Sequence, residues 1–295
     1  MTRQEKILKA LYILSKSPDL FLKYVDYRLR RLGPKWKKTY QGVHQISIGE
    51  IKFNIDFDEL GSNLYSKQLY FKCYEFHLIK AMNQFLTKGS KFIDVGANVG
   101  YLTAVGASLV GKAGEVVSFE PVPKIYSILK NISTLNPEYN IMAYNNAIGE
   151  SNALIEMDCT SFSDYGGSTA VSGLLNMNNI EIKNKIKVES IRLDDYLLES
   201  NMGEISFIKI DVEGYEFSAL KGLERYFTET PYRPAIVCEI APTAHQLLQI
   251  TVQDILSYMS SFGYQAFDIY DYRKKLTSKN IKQNTDVVFV HDLRV

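Results

Sequence analysis

Apolar residues recur along this chain with two periods, and the switches between them divide it into elements. Ile7, Leu8, Leu11, Tyr12 and Leu14 fall at helical spacing, which predicts an amphipathic helix near the start. Ser17-Pro18-Asp19 reads as an N-cap, a proline at the first helical position and a first-turn acid. A second predicted helix carries Leu20, Phe21, Tyr24, Val25, Arg28, Leu29 and Leu32 and stops at Gly33-Pro34. From Val43 to Asp58 the period falls to two on either side of Gly49-Glu50, the pattern of a β-hairpin. Leu69, Tyr70, Cys73, Phe76, Ile79, Met82 and Leu86 restore helical spacing over residues 67–86.

Beyond residue 90 strand and helix patterns alternate. Strands are predicted at Phe92–Val95, Glu115–Phe119, Ile141–Asn145, Ser206–Ile210 and Ala235–Ile240, and helices from near Val99 and over Ile125–Leu135, Phe217–Phe227 and Val252–Phe262. Ser151 to Val188 is rich in Ser, Gly and Asn with weak strand signals. Alternation of this kind implies a parallel sheet covered on both faces. Two runs, Ala266–Tyr270 and Val287–Val290, close the chain with no helical pattern between them. A parallel return needs a crossover, usually helical, so the last strand is expected to be antiparallel. The expected architecture is α/β: a doubly wound, mostly parallel sheet with an antiparallel last strand, preceded by N-terminal helices and a β-hairpin. Residues 1–66 form the expected extension and residues 67–295 the main domain. Within the irregular stretch, Thr160 to Asn179 is expected to form a lid or wall of the site, because long irregular connections in compact domains are usually functional.

Composition changes this picture little. The 295 residues are 46% hydrophobic and 23% charged, with a net charge of +1, ordinary for a globular protein and no argument for a nucleic-acid partner. The charge is uneven, since the first 39 residues carry eleven basic side chains against three acidic ones. Basic amphipathic helices in residues 1–40 suit peripheral contact with an anionic membrane surface, or equally a stripe packed on the main domain with its lysines solvated. No apolar run approaches the ~18 residues of a membrane span. Lys9 interrupts the first apolar stretch, so neither a signal peptide nor an anchor is expected, and a cytoplasmic location is. Cys73, Cys159 and Cys238 are far apart and lack metal-ligand spacing, which predicts buried reduced thiols.

Ligands of open α/β sheets sit beyond the carboxyl ends of the strands, near the switch in strand order. Four strand ends here carry suitable residues. After the first comes Asp94-Val95-Gly96-Ala97-Asn98-Val99-Gly100, where Gly96 would let backbone approach a ligand and Gly100 would let a helix pack on the strand. Free amides at that helix start would favour a carboxylate or phosphate. A dinucleotide fingerprint needs glycine where Asn98 and Tyr101 stand, which disfavours pyrophosphate and with it a nicotinamide-dependent oxidoreductase. Glu120 ends the second strand at about the spacing of an acid that binds ribose hydroxyls, or else is a surface acid before Pro121-Val122-Pro123. Asn146-Ala147 follows the third strand, where a small residue would admit a flat adenine. Lys209 and Asp211 share one face of a buried strand; they are either a structural ion pair or, for Asp211, a group beside the reacting atoms.

Together, "FIDVGANVGYLTAVGA", "VVSFEPVP", "NAIGE", "VESIRLDDYL", "FIKIDVEGYEFSALKG" and "AIVCEI" resemble the FkbM family of S-adenosylmethionine-dependent methyltransferases over roughly Tyr74 to Ile240. The resemblance implies a class I methyltransferase-like sheet and S-adenosylmethionine as cofactor. It implies the methionine moiety on Asp94, Gly96, Ala97, Asn98 and Gly100, the ribose on Glu120, and the adenine edge at Asn146 and Ala147. It also implies a hydroxyl acceptor, of a sugar, glycan, glycolipid or decorated natural product. A hydroxyl must lose its proton, for which Asp211 is the first candidate base, with Glu213, Glu239 and His245 behind it. A magnesium ion between Asp211 and Glu239 is chemically conceivable, but no ligand spacing compels it and no metal is assigned. A protein that keeps the fold without catalysis is the remaining alternative.

Overall fold

The computed structural model describes residues 40–60, 74–160 and 167–291. The two expected N-terminal helices, Cys73 and the first part of the helix predicted from residue 67 lie outside them, as does the boundary expected at residues 66 and 67. In chain order the elements are β1 Val43–Ile48, β2 Ile51–Asp56, α1 Phe57–Leu60, α2 Phe76–Phe85, β3 Lys91–Val95, α3 Tyr101–Val110, β4 Glu115–Phe119 and α4 Pro123–Leu135. There follow β5 Ile141–Tyr144, β6 Ala147–Ile148, β7 Ala153–Cys159, α5 Leu174–Met177, β8 Asn184–Ile191 and α6 Leu193–Glu199. The rest are β9 Phe207–Ile210, α7 Glu216–Lys221, α8 Glu224–Glu229, β10 Ala235–Ile240, α9 Pro242–Leu247, α10 Val252–Ser261, β11 Gln265–Asp268, β12 Asp271–Lys275 and β13 Thr285–Val290.

The main sheet runs β12-β11-β13-β10-β9-β3-β4-β5. Strands β10, β9, β3, β4 and β5 are parallel, while β13 is antiparallel to both β10 and β11, as the missing crossover required. The chain winds outward from β3 through β4 to β5 and returns to β9 on the other side of β3. The order therefore reverses between β3 and β9, and a cleft opens beyond their carboxyl ends.

Period-two alternation divides the core. Phe92, Val116, Phe207, Val237 and Val288 pack on one face of the sheet. Their neighbours Ile93, Val117, Ile208, Ile236 and Phe289 pack on the other. Both faces are apolar because helices cover both. The hairpin shares the first of these cores through Ile46, Phe53 and Ile55. Its attachment is also polar: the Asn54 amide donates to Asn136 Oδ1 at 2.6 Å, and Asn136 Nδ2 returns a bond to the Asn54 carbonyl at 3.0 Å.

Three predicted elements differ from the observed ones. The single helix over 217–227 is two, α7 and α8, divided at Gly222. A Cβ on Gly222 would lie 2.3 Å from the Gly149 carbonyl oxygen, and the Gly222 carbonyl accepts from the Asp194 amide at 2.7 Å. The stretch from Ser151 holds two real strands: β7 and β8 pair antiparallel, and β6 adds to β8 to make a three-stranded sheet. Their outer side chains are polar and pair across the ladder, as Lys185 does with Glu156 at 2.7 Å, which masks the apolar alternation. The closing strand pair is also joined by β12, an edge strand of exposed charged residues that pairs with β11. No helix among the described residues is long and apolar enough to cross a membrane.

Gly100, at the start of α3, has φ +85°, and a Cβ there would meet Ile132 and Leu129 side chains at 2.7 and 2.8 Å. The glycine thus permits close packing of α3 on the helix α4, not on a strand as the sequence suggested. Gly89 has φ +86° but open space around it, so it isolates the backbone cost. Gly89→Ala is expected to cost about 1–2 kcal/mol. Gly100→Ala adds an overpacking cost of about 1–3 kcal/mol. Urea unfolding of the two variants measures the difference, and equal losses would remove the packing role.

Candidate active site

The turn after β3 uses up its own amides. Gly96 and Ala97 N–H both donate to the Phe119 carbonyl, at 3.0 and 2.9 Å, and Gly100 N–H donates to the Ala97 carbonyl at 3.0 Å. Asn98 N–H donates to Glu120 Oε2 at 3.0 Å, and Val99 N–H donates to Asn98 Oδ1 at 2.7 Å. The amides of the turn itself, residues 96–100, are therefore engaged within the protein. What the turn offers the cleft is its shape, with left-handed backbone at Gly96, Asn98 and Gly100.

The register explains why residue 96 is glycine. Val95 pairs with Ile210 across β3 and β9, so residue 96 falls opposite Asp211, and a Cβ there would lie 1.9 Å from the Asp211 carbonyl oxygen. Glycine is demanded by neighbouring backbone as well as by any ligand. Gly96, Ala97, Asn98 and Glu120 all line one cleft with Asp211 and Glu213. The cleft is open to solvent and spans about 820 Å³ including its mouth.

Two rows of polar side chains cross the sheet beneath this cleft. In the lower row Ser118, Asp94 and Lys209 are register neighbours. Thr103 Oγ1 donates to Asp94 Oδ2 at 2.7 Å and lies 2.9 Å from Ser118 Oγ. Lys209 Nζ donates to the Gly96 carbonyl at 2.6 Å and stands 3.4 Å from Asp94 Oδ1 and 3.8 Å from Asp211 Oδ2. Asp94 is thus the nearer counter-ion, and it is buried below the cleft, not exposed to a ligand. Burial alone would lower the Lys209 pKa, but Asp94 and Asp211 outweigh it and hold the ammonium charged. The upper row follows one step along the same register: Lys209 pairs with Val237, which brings Asp211 beside Glu239, and Glu239 pairs with Asp286.

That row crowds like charges. Asp211 keeps 42% of its side chain exposed; desolvation raises its pKa, Lys209 opposes, and Asp286 and Asp94 add to the rise. Glu239 is pushed up to about 8 by burial and then by Asp211 and Asp286. Glu213 is pushed well up by burial, then by Asp211 and Glu239. Its backbone is left-handed, φ 52°, and its carbonyl accepts from Thr169 Oγ1 at 2.6 Å. Across the cleft, burial raises the Glu120 pKa to about 7 despite amide bonds from Val122 and Asn98.

Other expected site residues stand elsewhere. His245 is fully buried and does not line the cleft. Its Nε2 accepts the Ala241 amide at 3.2 Å, and burial lowers its pKa to about 4. It is a structural histidine, because α9 turns it into the protein instead of toward the strand ends. Asn146 and Ala147 do not line the cleft either: Ala147 enters β6 and is buried against Met157 and Val188, and it is Met157 that reaches the cleft wall. The preceding Asn145 acts on the site indirectly, donating through Nδ2 to the Glu120 and Pro121 carbonyls, both at 2.9 Å. From the expected lid, Gly167 and Ser168 line the cleft; residues 161–166 lie outside the described residues. Glu75, beside the cleft with φ 48°, has no spacing signal that marks it. Cys159 and Cys238 are buried free thiols.

Comparison with known proteins places the chain in a family. Residues 94–266 match the Methyltransferase FkbM domain. The chain is 23% identical over 149 residues to Methyltransferase 1 of Beauveria bassiana, covering 46% of this chain and 59% of that protein. It is 38% identical over 65 residues to Protein-L-isoaspartate O-methyltransferase 1 of Archaeoglobus fulgidus, 21% of this chain and 30% of that one. The chain thus spans less than two thirds of either relative. Among solved structures, Aeropyrum pernix fibrillarin in complex with S-adenosyl-L-methionine aligns with 86% of this chain and 84% of its own at TM-score 0.41 and 8% identity. An rRNA methylase from Streptococcus thermophilus aligns with 74% of this chain and 95% of its own at TM-score 0.40 and 12% identity. The match to the family domain covers more than half of the chain, from the acid of the glycine-rich turn to β11, and the protein belongs to the FkbM family of S-adenosylmethionine-dependent methyltransferases.

Proposed function

We propose that this protein moves a methyl group from S-adenosylmethionine to a hydroxyl oxygen, on a sugar, glycan or glycolipid. The observation that carries the reading is the Asp211 carboxylate, partly exposed at the switch point of the sheet, where a hydroxyl proton would have to go. As the acceptor oxygen bonds to the methyl carbon, the carbon–sulfur bond breaks and its electron pair stays on sulfur. The acceptor proton passes to a carboxylate, and S-adenosylhomocysteine leaves as a neutral thioether. Little covalent work falls to the protein, so alignment of oxygen, carbon and sulfur dominates catalysis.

Glu120 takes the ribose hydroxyls in this reading, since each of its oxygens accepts one amide and retains a lone pair for the cofactor. Asp211 is the base, with Glu213 next in reach of the cleft. The acceptor end is rich in carboxylates, which suits a partner rich in hydroxyl donors. Gly167 and Ser168 form its wall, held by the bond from Thr169 to Glu213. Asn98 and Tyr101 stand where a pyrophosphate fingerprint needs glycine, which argues against dinucleotide chemistry. Residues 1–40 remain a proposed contact with anionic membrane in a cytoplasmic enzyme, a placement that suits a glycolipid acceptor.

Two experiments follow. Asp211→Asn is expected to cut turnover at least about a hundredfold while cofactor affinity and melting temperature stay close to wild type, because Asp94 still balances Lys209. Asp94→Asn should instead cost about 3–5 kcal/mol of stability, the scale of a broken buried pair. Near wild-type turnover in folded Asp211→Asn would move the base elsewhere.

For Glu120 the sign of the pH dependence is fixed by which form accepts hydrogen bonds. Its pKa stands near 7 in the free protein, and only the carboxylate accepts from both ribose hydroxyls. Cofactor affinity should therefore be full above pH 7 and fall as pH drops through it. Calorimetry should find that slope abolished in Glu120→Gln, and affinity weaker by about 1–3 kcal/mol in Glu120→Ala. Unchanged binding in both variants would remove Glu120 from the cofactor site.

A further inference from the structure

The register that brings Asp211 to the cleft gathers two more carboxylates behind it. One oxygen from each of Asp211, Glu216 and Glu239 lies within 4.8 Å of the other two. Three carboxylates so close can all carry charge only with a positive partner. Glu216 adds an independent sign of one. Its side chain is 0% exposed, and Oε1 accepts the Gly214 and Val212 amides at 2.8 and 3.2 Å. Oε2 has no hydrogen-bond donor among the described residues.

The neighbouring cationic side chains do not fill that role. His245 Nε2 is 3.7 Å from Glu216 Oε2, but it already accepts the Ala241 amide and has no proton to donate. Lys209 reaches only the Asp211 side of the group, at 3.8 Å, and bonds to the Gly96 carbonyl.

We infer that Asp211, Glu216 and Glu239 form a site for a hard divalent cation, of the magnesium, manganese or calcium class. The donors are all carboxylate oxygens, which suits these ions better than zinc or copper. Opposite oxygens stand about 4.1 Å apart on magnesium and about 4.6–5.2 Å apart on calcium. The three oxygens lie within 4.8 Å of one another, inside the calcium span, and any pair wider than about 4.1 Å would contract around magnesium or manganese. Each acid supplies one oxygen, so the second oxygen of Asp211 stays available as the base. The role of the ion rests on the methyl-transfer reading: beside Asp211 it would bind the acceptor oxygen and ease loss of its proton. The existence of the site does not depend on that role.

The test is titration of the full chain, stripped with a chelator, with manganese followed by electron paramagnetic resonance and with magnesium and calcium by calorimetry. Saturable binding of one ion per chain is expected, with affinity at least about tenfold weaker in Glu216→Gln and Glu239→Gln. No saturable binding of any of the three ions at millimolar concentration overturns the site, as does wild-type affinity in both variants. If Glu216→Gln fails to fold, Glu239→Gln, whose side chain is only half-buried, decides alone. S-adenosylmethionine binding is measured on the same samples. Failure of cation binding with normal cofactor binding sinks the site and leaves methyl transfer standing, whereas a wild-type protein that binds the cation but not the cofactor sinks the functional reading alone.

Discussion

A single buried ammonium ties the centre of this fold together. Lys209 sits on the strand beside the switch point, and from there it touches the Asp94 carboxylate, the Asp211 carboxylate and the carbonyls of Val95 and Gly96. A lysine so placed is tolerable only with a close counter-ion and acceptors for its protons, which Asp94 and the Gly96 carbonyl supply. The constraint spreads from there. Asp94 must stand beside the ammonium, Thr103 must hold its other oxygen, and the backbone must pass close enough for the Gly96 carbonyl to accept. The glycine-rich turn is thus shaped from below by an ion pair before any ligand arrives.

Above that pair the charge balance reverses. Two residues further toward the cleft on each strand, the neighbours are Asp211, Glu239 and Asp286, and the lysine is already shared. The protein therefore sets a neutralised row under the cleft and a more acidic row at its lip, where His77 stands 2.8 Å from Asp286. Sheet register is the only device needed, because side chains of one face recur every second residue. On the opposite wall Glu120 closes the turn through two amides, so both ends of the cleft are framed by carboxylates, held for different reasons.

Much of this was legible in the residues. Strands β3, β4, β9 and β10 stand as runs of four to six apolar-rich residues, and the antiparallel β13 followed from the absence of a crossover pattern before it. Asp94, Glu120 and Asp211 could be picked out because each is an acid at the end of such a run. What the sequence hid was pairing between elements. Lys209 lies two residues from Asp211 in the chain, yet its nearer partner is Asp94, which is 115 positions away in numbering and adjacent only through sheet register. His245 follows a strand end, as a cleft residue would, but a helix turn carries it inward. The strands β7 and β8 were obscured because charged cross-strand pairs occupy their open face, although Ile186 and Val188 do alternate with Lys185, Lys187 and Glu189.

The small sheet of β6, β7 and β8 has a consequence for how such an enzyme diversifies. It pairs with itself and with no strand of the main sheet, yet one end of it carries Met157, and the segment beyond it carries Gly167 and Ser168, into the cleft wall. Residues between β7 and β8 can lengthen, shorten or change character without shifting the register of β3, β9 or β10. Descendants of one ancestor could in this way explore new acceptors, because variation in that segment meets the strand ends at a few contacts, such as the bond from Thr169 Oγ1 to the Glu213 carbonyl, and leaves the ladders of the main sheet as inherited.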